Sequence, residues 1–311
     1  MSIPVVKALI EGKHPGRQLF IPLIFALAAR LEDVPLPDFV SNPTRITKGL
    51  VALYQRLHPD GITCYFDLFL IAEALGCRLH WNTYPPTLQT PTRETALAML
   101  QSPGDIKQRG RLPVALEVVH RIQGTLRNGS AQVVGLPGPL RVAQQLFGPA
   151  VLRGLAEGED DSLDSFETLL EITLSIAQAL CLAGADLLYF DECDVPMELL
   201  PDWEAAMVPL WKTVRFHGTL PVLSLPQPLR LEDQTIAPLL CLKVASDEQA
   251  PLPERPFALA LPALAEAVPG VSRWTRAKEC VLVTTDGEIP YQLEIQKLER
   301  RVAALRSLCQ S

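Results

Sequence analysis

Carboxylates that close otherwise apolar runs are the positions in this sequence where chemistry could be done. Asp67 ends Gly61-Ile62-Thr63-Cys64-Tyr65-Phe66, and Asp191 and Glu192 end Asp186-Leu187-Leu188-Tyr189-Phe190. A carboxylate in such a place is costly to bury alone. It must be paired with a cation, fixed by helix N-terminal amides, or offered to a ligand. Arg30, which ends Phe25-Ala26-Leu27-Ala28-Ala29, is a cation that could pair with Asp67 or hold a ligand carboxylate bidentately. The competing reading of Asp67 is an N-cap for a helix over Leu68–Leu75, within which Glu73 reads as structural. Asp191 and Glu192 are adjacent, so in extended chain they point to opposite faces. That argues against a pair sharing one proton, and for one acid orienting a substrate while the other caps a helix.

Other reactive arrangements are missing from the chain. His14, His58, His80, His120 and His217 share no ligand spacing, and no Cys-x-x-Cys or His-x-Cys occurs, so no metal site is read. There is no Gly-x-Ser-x-Gly elbow, Walker sequence or dinucleotide fingerprint. The seven cysteines are widely spaced and mostly in apolar surroundings, which reads as reduced, packed thiols of a cytoplasmic protein. Cys193 has a strand-end position but the same packed reading.

The elements that must position these acids follow from periodicity. Short apolar runs predict strands over Phe20–Leu27, Ile62–Phe66, Ala131–Leu136, Ala185–Phe190, Leu220–Leu225, Ile236–Lys243, Phe257–Leu261 and Val281–Thr284. Three- and four-residue apolar steps predict helices over Thr47–Leu57, Leu112–Leu126, Pro139–Phe147, Leu163–Leu182, Met197–Arg215 and Pro290–Leu308. Strands apolar on both faces, alternating with helices, require a parallel sheet covered all round. Eight of them predict a single (β/α)8 barrel over residues 1–311 with an N-terminal helical extension. A doubly wound open sheet lacks its glycine-rich first turn here. In a barrel, chemistry belongs at the carboxyl ends of the strands, where Arg30, Asp67, Asp191, Glu192, Ser224, Lys243 and Asp286 fall.

Composition bounds the partners. At 48% hydrophobic and 20% charged residues, the chain is not intrinsically disordered. A net charge of −7 without a Lys/Arg cluster gives no footprint for nucleic acid. No uninterrupted apolar run approaches the ~18 residues of a membrane span, and the first residues lack a secretory pattern. Prolines number 28, about 9% against an average near 5%, and are spread over many short connections.

Several segments, in order, resemble the uroporphyrinogen decarboxylase superfamily, which also holds methyltransferases that move methyl groups between corrinoid proteins and thiols. Ala8 to Arg17 is similar to the opening helix and turn. Tyr65-Phe66-Asp67 through Ala72-Glu73-Ala74-Leu75-Gly76-Cys77 is the most specific stretch, and its wording resembles the methyltransferase branch. Val134 to Pro139 is similar to the third-strand turn, Ala183 to Asp186 with Asp191 to the fourth strand, and Gly287-Glu288-Ile289-Pro290 to the last strand-to-helix turn. The resemblance implies a (β/α)8 barrel and makes Asp67 the match of the aspartate that contacts pyrrole nitrogens.

Departures from the pattern shape the functional expectation. Of the decarboxylase's two carboxylate-holding arginines only Arg30 is retained, Gln145 stands at the substrate-contacting tyrosine, and the last-loop histidine is missing near Asp286-Gly287. A substrate with eight carboxylates is mismatched to an acidic mouth. At the zinc-ligand positions of the methyltransferase branch stand Ser224, Pro226 and Gly287. The expectation is therefore a methyl-transfer enzyme without zinc-thiolate chemistry. Asp67 is its catalytic residue, and Arg30, Asp191, Glu192, Ser224, Gln145 and Asp286 contact the substrate. No cofactor is expected to be tightly bound; a corrinoid or pterin methyl carrier serves as co-substrate and a corrinoid protein as partner. A decarboxylase acting on a tetrapyrrole and a non-catalytic tetrapyrrole- or corrinoid-binding protein are the alternatives, and a homodimer is left open.

Overall fold

The apolar runs pair side by side as parallel strands. The computed structural model describes residues 2–126, 129–226, 238–243, 252–263 and 271–310, with 308–310 described by backbone only. Its strands are β1 (Leu19–Phe20), β2 (Gly61–Phe66), β3 (Arg78–His80), β4 (Thr87–Gln89), β5 (Ala131–Pro137), β6 (Leu187–Asp191), β7 (Leu220–Ser224), β8 (Leu239–Lys243), β9 (Phe257–Leu261) and β10 (Cys280–Thr285). Eight of them form one sheet in the order β1-β10-β9-β8-β7-β6-β5-β2, every pair parallel. β3 and β4 form a separate antiparallel ribbon. The ring is drawn together between β1 and β2 by Asp60, whose N–H donates to Phe20 O at 3.0 Å and whose carboxylate accepts from Phe20 N–H at 2.9 Å. This is the (β/α)8 barrel that the strand count predicts.

Helices cover the outside. α1 (Ile3–Ile10) is the N-terminal extension; α2 (Leu36–Val40), α3 (Pro43–Leu57), α4 (Leu70–Leu75), α5 (Arg93–Gln101), α6 (Leu112–Thr125), α7 (Pro139–Phe147), α8 (Ala150–Glu157), α9 (Asp160–Ala183), α10 (Leu200–Phe216), α11 (Val271–Thr275) and α12 (Ile295–Gln310) follow. Local chemistry sets their ends. α3 starts where Asn42 Oδ1 accepts the N–H groups of Thr44 and Arg45, both at 3.1 Å, with Pro43 in the first turn. α9 stops at Gly184, whose φ of 112° is in the left-handed region that glycine reaches without strain. α9 is long and apolar enough, by length and composition, to cross a membrane. Here Phe166, Leu169, Ile172, Ile176 and Leu180 are buried, and the helix packs on α6, α7 and α10 as a core helix does.

Two expectations are corrected. The strand predicted over Phe20–Leu27 ends at Phe20, because Pro22 has no N–H to continue the ladder and Leu23 N–H turns to the Thr285 hydroxyl at 3.1 Å. Ala26–Arg30 is a 3-10 helix instead. The strand predicted from Ile236 is seen from Leu239, and Ile236 itself lies outside the described residues. The β3–β4 ribbon had no counterpart in the sequence reading.

Candidate active site

A cavity of about 950 Å³ opens at the carboxyl ends of the strands, the mouth of the barrel. Its wall brings together Asp67 after β2, Asp191 at the end of β6, Lys243 at the end of β8, and Asp286 and Glu288 after β10. Arg141 and Gln145 of α7 and Tyr84, between β3 and β4, complete the polar wall; Phe66, Leu68, Phe69 and several prolines supply the apolar part.

Asp67 is bound on both oxygens. Oδ1 accepts the N–H of Phe69 at 2.8 Å, and Oδ2 lies 2.5 Å from Arg111 Nη1. Arg111, immediately before α6, is as buried as Asp67, also pairs with Glu73 at 2.8 Å, and stacks its guanidinium 4.8 Å from the Trp81 ring centre. Burial pushes the Glu73 carboxyl up, opposed by Arg111. Burial also works against the Arg111 charge, but Asp67, Tyr65 and Glu73 outweigh it and hold the guanidinium more firmly protonated than usual. The ion-pair reading of Asp67 is thus met, with Arg111 as the partner. The N-cap reading is not: α4 begins at Leu70 with Phe69 as its N-cap, and Asp67 Oδ1 holds the Phe69 N–H in the turn before it.

At β6 the two adjacent acids divide as their alternation requires. Asp191 faces the cavity and pairs with Arg141, whose Nε also donates to Asp191 O at 2.9 Å. Burial raises the Asp191 carboxyl, with Arg141 and Lys243 opposing. Glu192 is fully buried behind the wall and accepts N–H groups from Leu140 at 3.1 Å, Arg141 at 2.6 Å and Cys193 at 3.0 Å. It caps α7. Burial pushes its carboxyl up to about 7.

Glu288 forms the third acidic position. Oε1 accepts N–H groups from Ala26 at 2.5 Å and Phe25 at 3.2 Å, and Oε2 accepts the Tyr84 hydroxyl. Burial pushes this carboxyl up to about 7, against those three donors. Tyr84 is raised well above the ordinary tyrosine range, first by burial and then by the Glu288 charge.

Of the residues singled out from sequence, Asp67, Asp191, Gln145, Lys243 and Asp286 line the cavity. Gln145 donates to Leu68 O at 2.8 Å, while its Oε1 is buried with no hydrogen-bond partner among the described residues. Asp286 accepts from Ala263 N–H at 2.9 Å. Three substrate contacts expected from sequence are corrected. Arg30, exposed at the end of its 3-10 helix, does not line the cavity and donates to the carbonyls of Gln292 at 2.8 Å and Leu293 at 3.2 Å. Glu192 is spent on α7. Ser224 is buried beside Tyr189 and does not reach the wall.

Sequence reasoning gave no role to Arg111, Arg141, Tyr84 or Glu288. Arg141 had a signal, since Gly138-Pro139-Leu140-Arg141 directly follows a strand. Glu288 stood in a quoted turn without being assigned. Arg111 and Tyr84 arrive from distant segments with no local pattern.

A zinc-thiolate site of the kind the resemblance implies does not fit these residues. Ser224 is enclosed, Gly287 brings no side chain, and among the described residues no group of three or more His, Cys, Asp or Glu could hold a metal. The six described cysteines are buried and unbridged, and Cys280 begins β10 at the opposite end of the barrel from the mouth. Cys309 lies outside the described side chains.

An eight-stranded parallel barrel with its polar residues gathered at the strand carboxyl ends is the architecture of a (β/α)8 enzyme. Residues 6–212 match the uroporphyrinogen decarboxylase (URO-D) family, and the chain belongs to that family. Methylcobamide:CoM methyltransferase MtaA of Methanosarcina barkeri is 24% identical over 158 residues, covering 49% of this chain and 46% of that protein. The match thus spans about half the length of this curated relative. A methyltransferase from Methanosarcina mazei superposes over 99% of both chains with a TM-score of 0.75 at 16% identity. A B12-independent methionine synthase from Shewanella sp. W3-18-1 superposes over 89% of both with a TM-score of 0.56 at 13% identity. These two likenesses concern the fold.

Proposed function

We propose that residues 1–311 form one catalytic barrel that transfers a methyl group between a carrier, a corrinoid or a pterin, and a small acceptor bound in the mouth. The observation that carries this over tetrapyrrole decarboxylation is the charge of the cavity wall. Asp67, Asp191, Asp286 and Glu288 stand against Arg141 and Lys243, and Arg141 is already engaged by Asp191. A polycarboxylate would meet repulsion there and find no free cation clamp among the described residues of the wall. The methyltransferase among the curated relatives supports the same choice. In this reading Asp67, held by Arg111, presents its carboxylate to the polar part of the substrate, and Gln145 offers its unpaired Oε1 to a donor. A corrinoid protein is the proposed partner at the mouth, and the buried, unbridged cysteines support a cytoplasmic setting.

The test is an anaerobic assay with methylcobalamin and a methylated pterin as donors, a panel of small thiols as acceptors, and uroporphyrinogen III as the competing substrate. Methylated thiol should form, and coproporphyrinogen should not. Conversion of uroporphyrinogen at several turnovers per minute would install decarboxylation instead. Spectral titration showing tetrapyrrole or corrinoid binding with no turnover would reduce the protein to a binding role.

A further inference from the structure

We propose that Glu288, positioned by Tyr84, accepts the proton that a thiol must lose to become a methyl acceptor in this cavity. The assignment rests on the methyl-transfer reading above and names its acceptor class. A free thiol near pKa 8.5 supplies little thiolate at neutral pH, and the described residues at this mouth do not provide the donors that would let a metal supply it. A base must do so. Among the cavity carboxylates, Asp67 is occupied by Arg111 and by the Phe69 amide, and Asp191 by Arg141. Asp286 is exposed to water. Glu288 alone is both sheltered and, among the described residues, without a cation within ion-pair distance.

Its geometry is that of an oriented base. Two backbone N–H groups fix Oε1, the Tyr84 hydroxyl fixes Oε2, and Oε2 keeps one lone pair for a further donor. The titratable groups around it are Tyr84 and its ring neighbour Tyr291, Asp67 with Arg111 behind it, Tyr65, and Asp286 two residues upstream. Of these, Asp67 raises the Glu288 carboxyl, and the Tyr84 hydrogen bond lowers it. A carboxyl that titrates near the working pH is best matched to proton transfer. In the step, the S–H proton passes to Glu288, the sulfur lone pair forms the S–CH3 bond, and the carrier–methyl bond breaks with its electron pair remaining on the carrier. Glu288 then releases the proton to solvent.

The experiment measures kcat and KM against pH, with methylcobalamin as donor and 2-mercaptoethanesulfonate or homocysteine as acceptor, for the wild type, Glu288→Gln and Tyr84→Phe. The wild-type kcat should rise through a midpoint near 7. Glu288→Gln should lose about a hundredfold in kcat at neutral pH with KM little changed. Its rate should recover as pH passes the thiol's own pKa of about 8.5, where no base is needed. Tyr84→Phe should keep turnover and move the wild-type limb to higher pH, because the carboxylate loses a donor. An undiminished Glu288→Gln, or one that melts like the wild type and does not recover in alkali, overturns the assignment and leaves methyl transfer standing. If Glu288→Gln does not fold, an unmoved limb in Tyr84→Phe has the same force. A wild type that methylates neither thiol at any pH overturns the underlying reading as well.

Discussion

Arg111 Nη1 lies 2.5 Å from Asp67 Oδ2, with the arginine side chain 7% and the aspartate 8% exposed. Two charges this sheltered are held together because neither can turn to water, and Glu73 pairs with the guanidinium through Nε. Removing one member of such a pair leaves an uncompensated buried charge. Arg111→Met should therefore lower stability by about 3–5 kcal/mol in chemical denaturation. Asp67→Asn keeps the Phe69 hydrogen bond and leaves Arg111 with Glu73, so its stability cost should be smaller. It should weaken ligand binding or turnover at least tenfold, roughly 1.4 kcal/mol. A drop in melting temperature with unchanged affinity would make Asp67 a purely architectural residue.

Arg30 provides the contrast. Its hydrogen bonds go to the Gln292 and Leu293 carbonyls at the protein surface. Arg30→Ala should leave the kinetics of methyl transfer within about twofold and cost on the order of 1 kcal/mol in stability. A tenfold rise in KM would return Arg30 to the cavity.

Burial raises Glu192 from 4.5 to about 7, and Glu288 shifts in the same direction. Between those values the folded protein holds protons that the unfolded chain has released, so stability should fall as pH rises from about 4.5 to about 7. The contribution is fully present below the lower value and lost above the upper one. Thermal melts in matched buffers should show this decline, and Glu192→Gln should flatten it by about half. A melting temperature that rises through this window in the wild type would mean that the three N–H donors on Glu192 outweigh its burial.

Zinc should be present at well under half an equivalent in untagged protein after dialysis against a mild chelator. Carboxylates bind zinc weakly without nitrogen or sulfur partners, and the Cys193 thiol is pushed up by burial and by Glu192, away from the thiolate a metal needs. Near one equivalent of zinc, lost together with activity in Cys193→Ser, would contradict this donor set.

Strands apolar on both faces announced the barrel, since nothing except a covered parallel sheet can bury Ile62–Phe66 and Phe257–Leu261 on both sides. The acids at strand ends were legible for the same reason, as was the opposite facing of Asp191 and Glu192. Their cations were not. Arg111 and Arg141 are assigned by tertiary placement, and the sequence's own offer, Arg30, was diverted when Pro22 ended the first strand and a 3-10 helix followed. Tyr84 comes from a ribbon too short to show a period. Glu288 lacked the apolar run that would have marked it, because its shelter is provided by Phe25, Ala26 and Tyr84 from elsewhere in the chain.

The seat beneath α7 ties two parts of the protein together. Gly138 has no Cβ, and one placed there would lie 2.3 Å from the Glu192 carboxylate, so the strand-to-helix turn closes only around that acid. Gly138 N–H also donates to Asp191 O at 2.8 Å, and Arg141 grips the carbonyls of both Asp191 and Glu192 at 2.9 Å. α7 is keyed onto the end of β6 from two sides, one dry and one facing the cavity. Divergence of the binding chemistry at Asp191 or Arg141 would therefore loosen a joint of the barrel wall. These four positions should vary as a set in relatives.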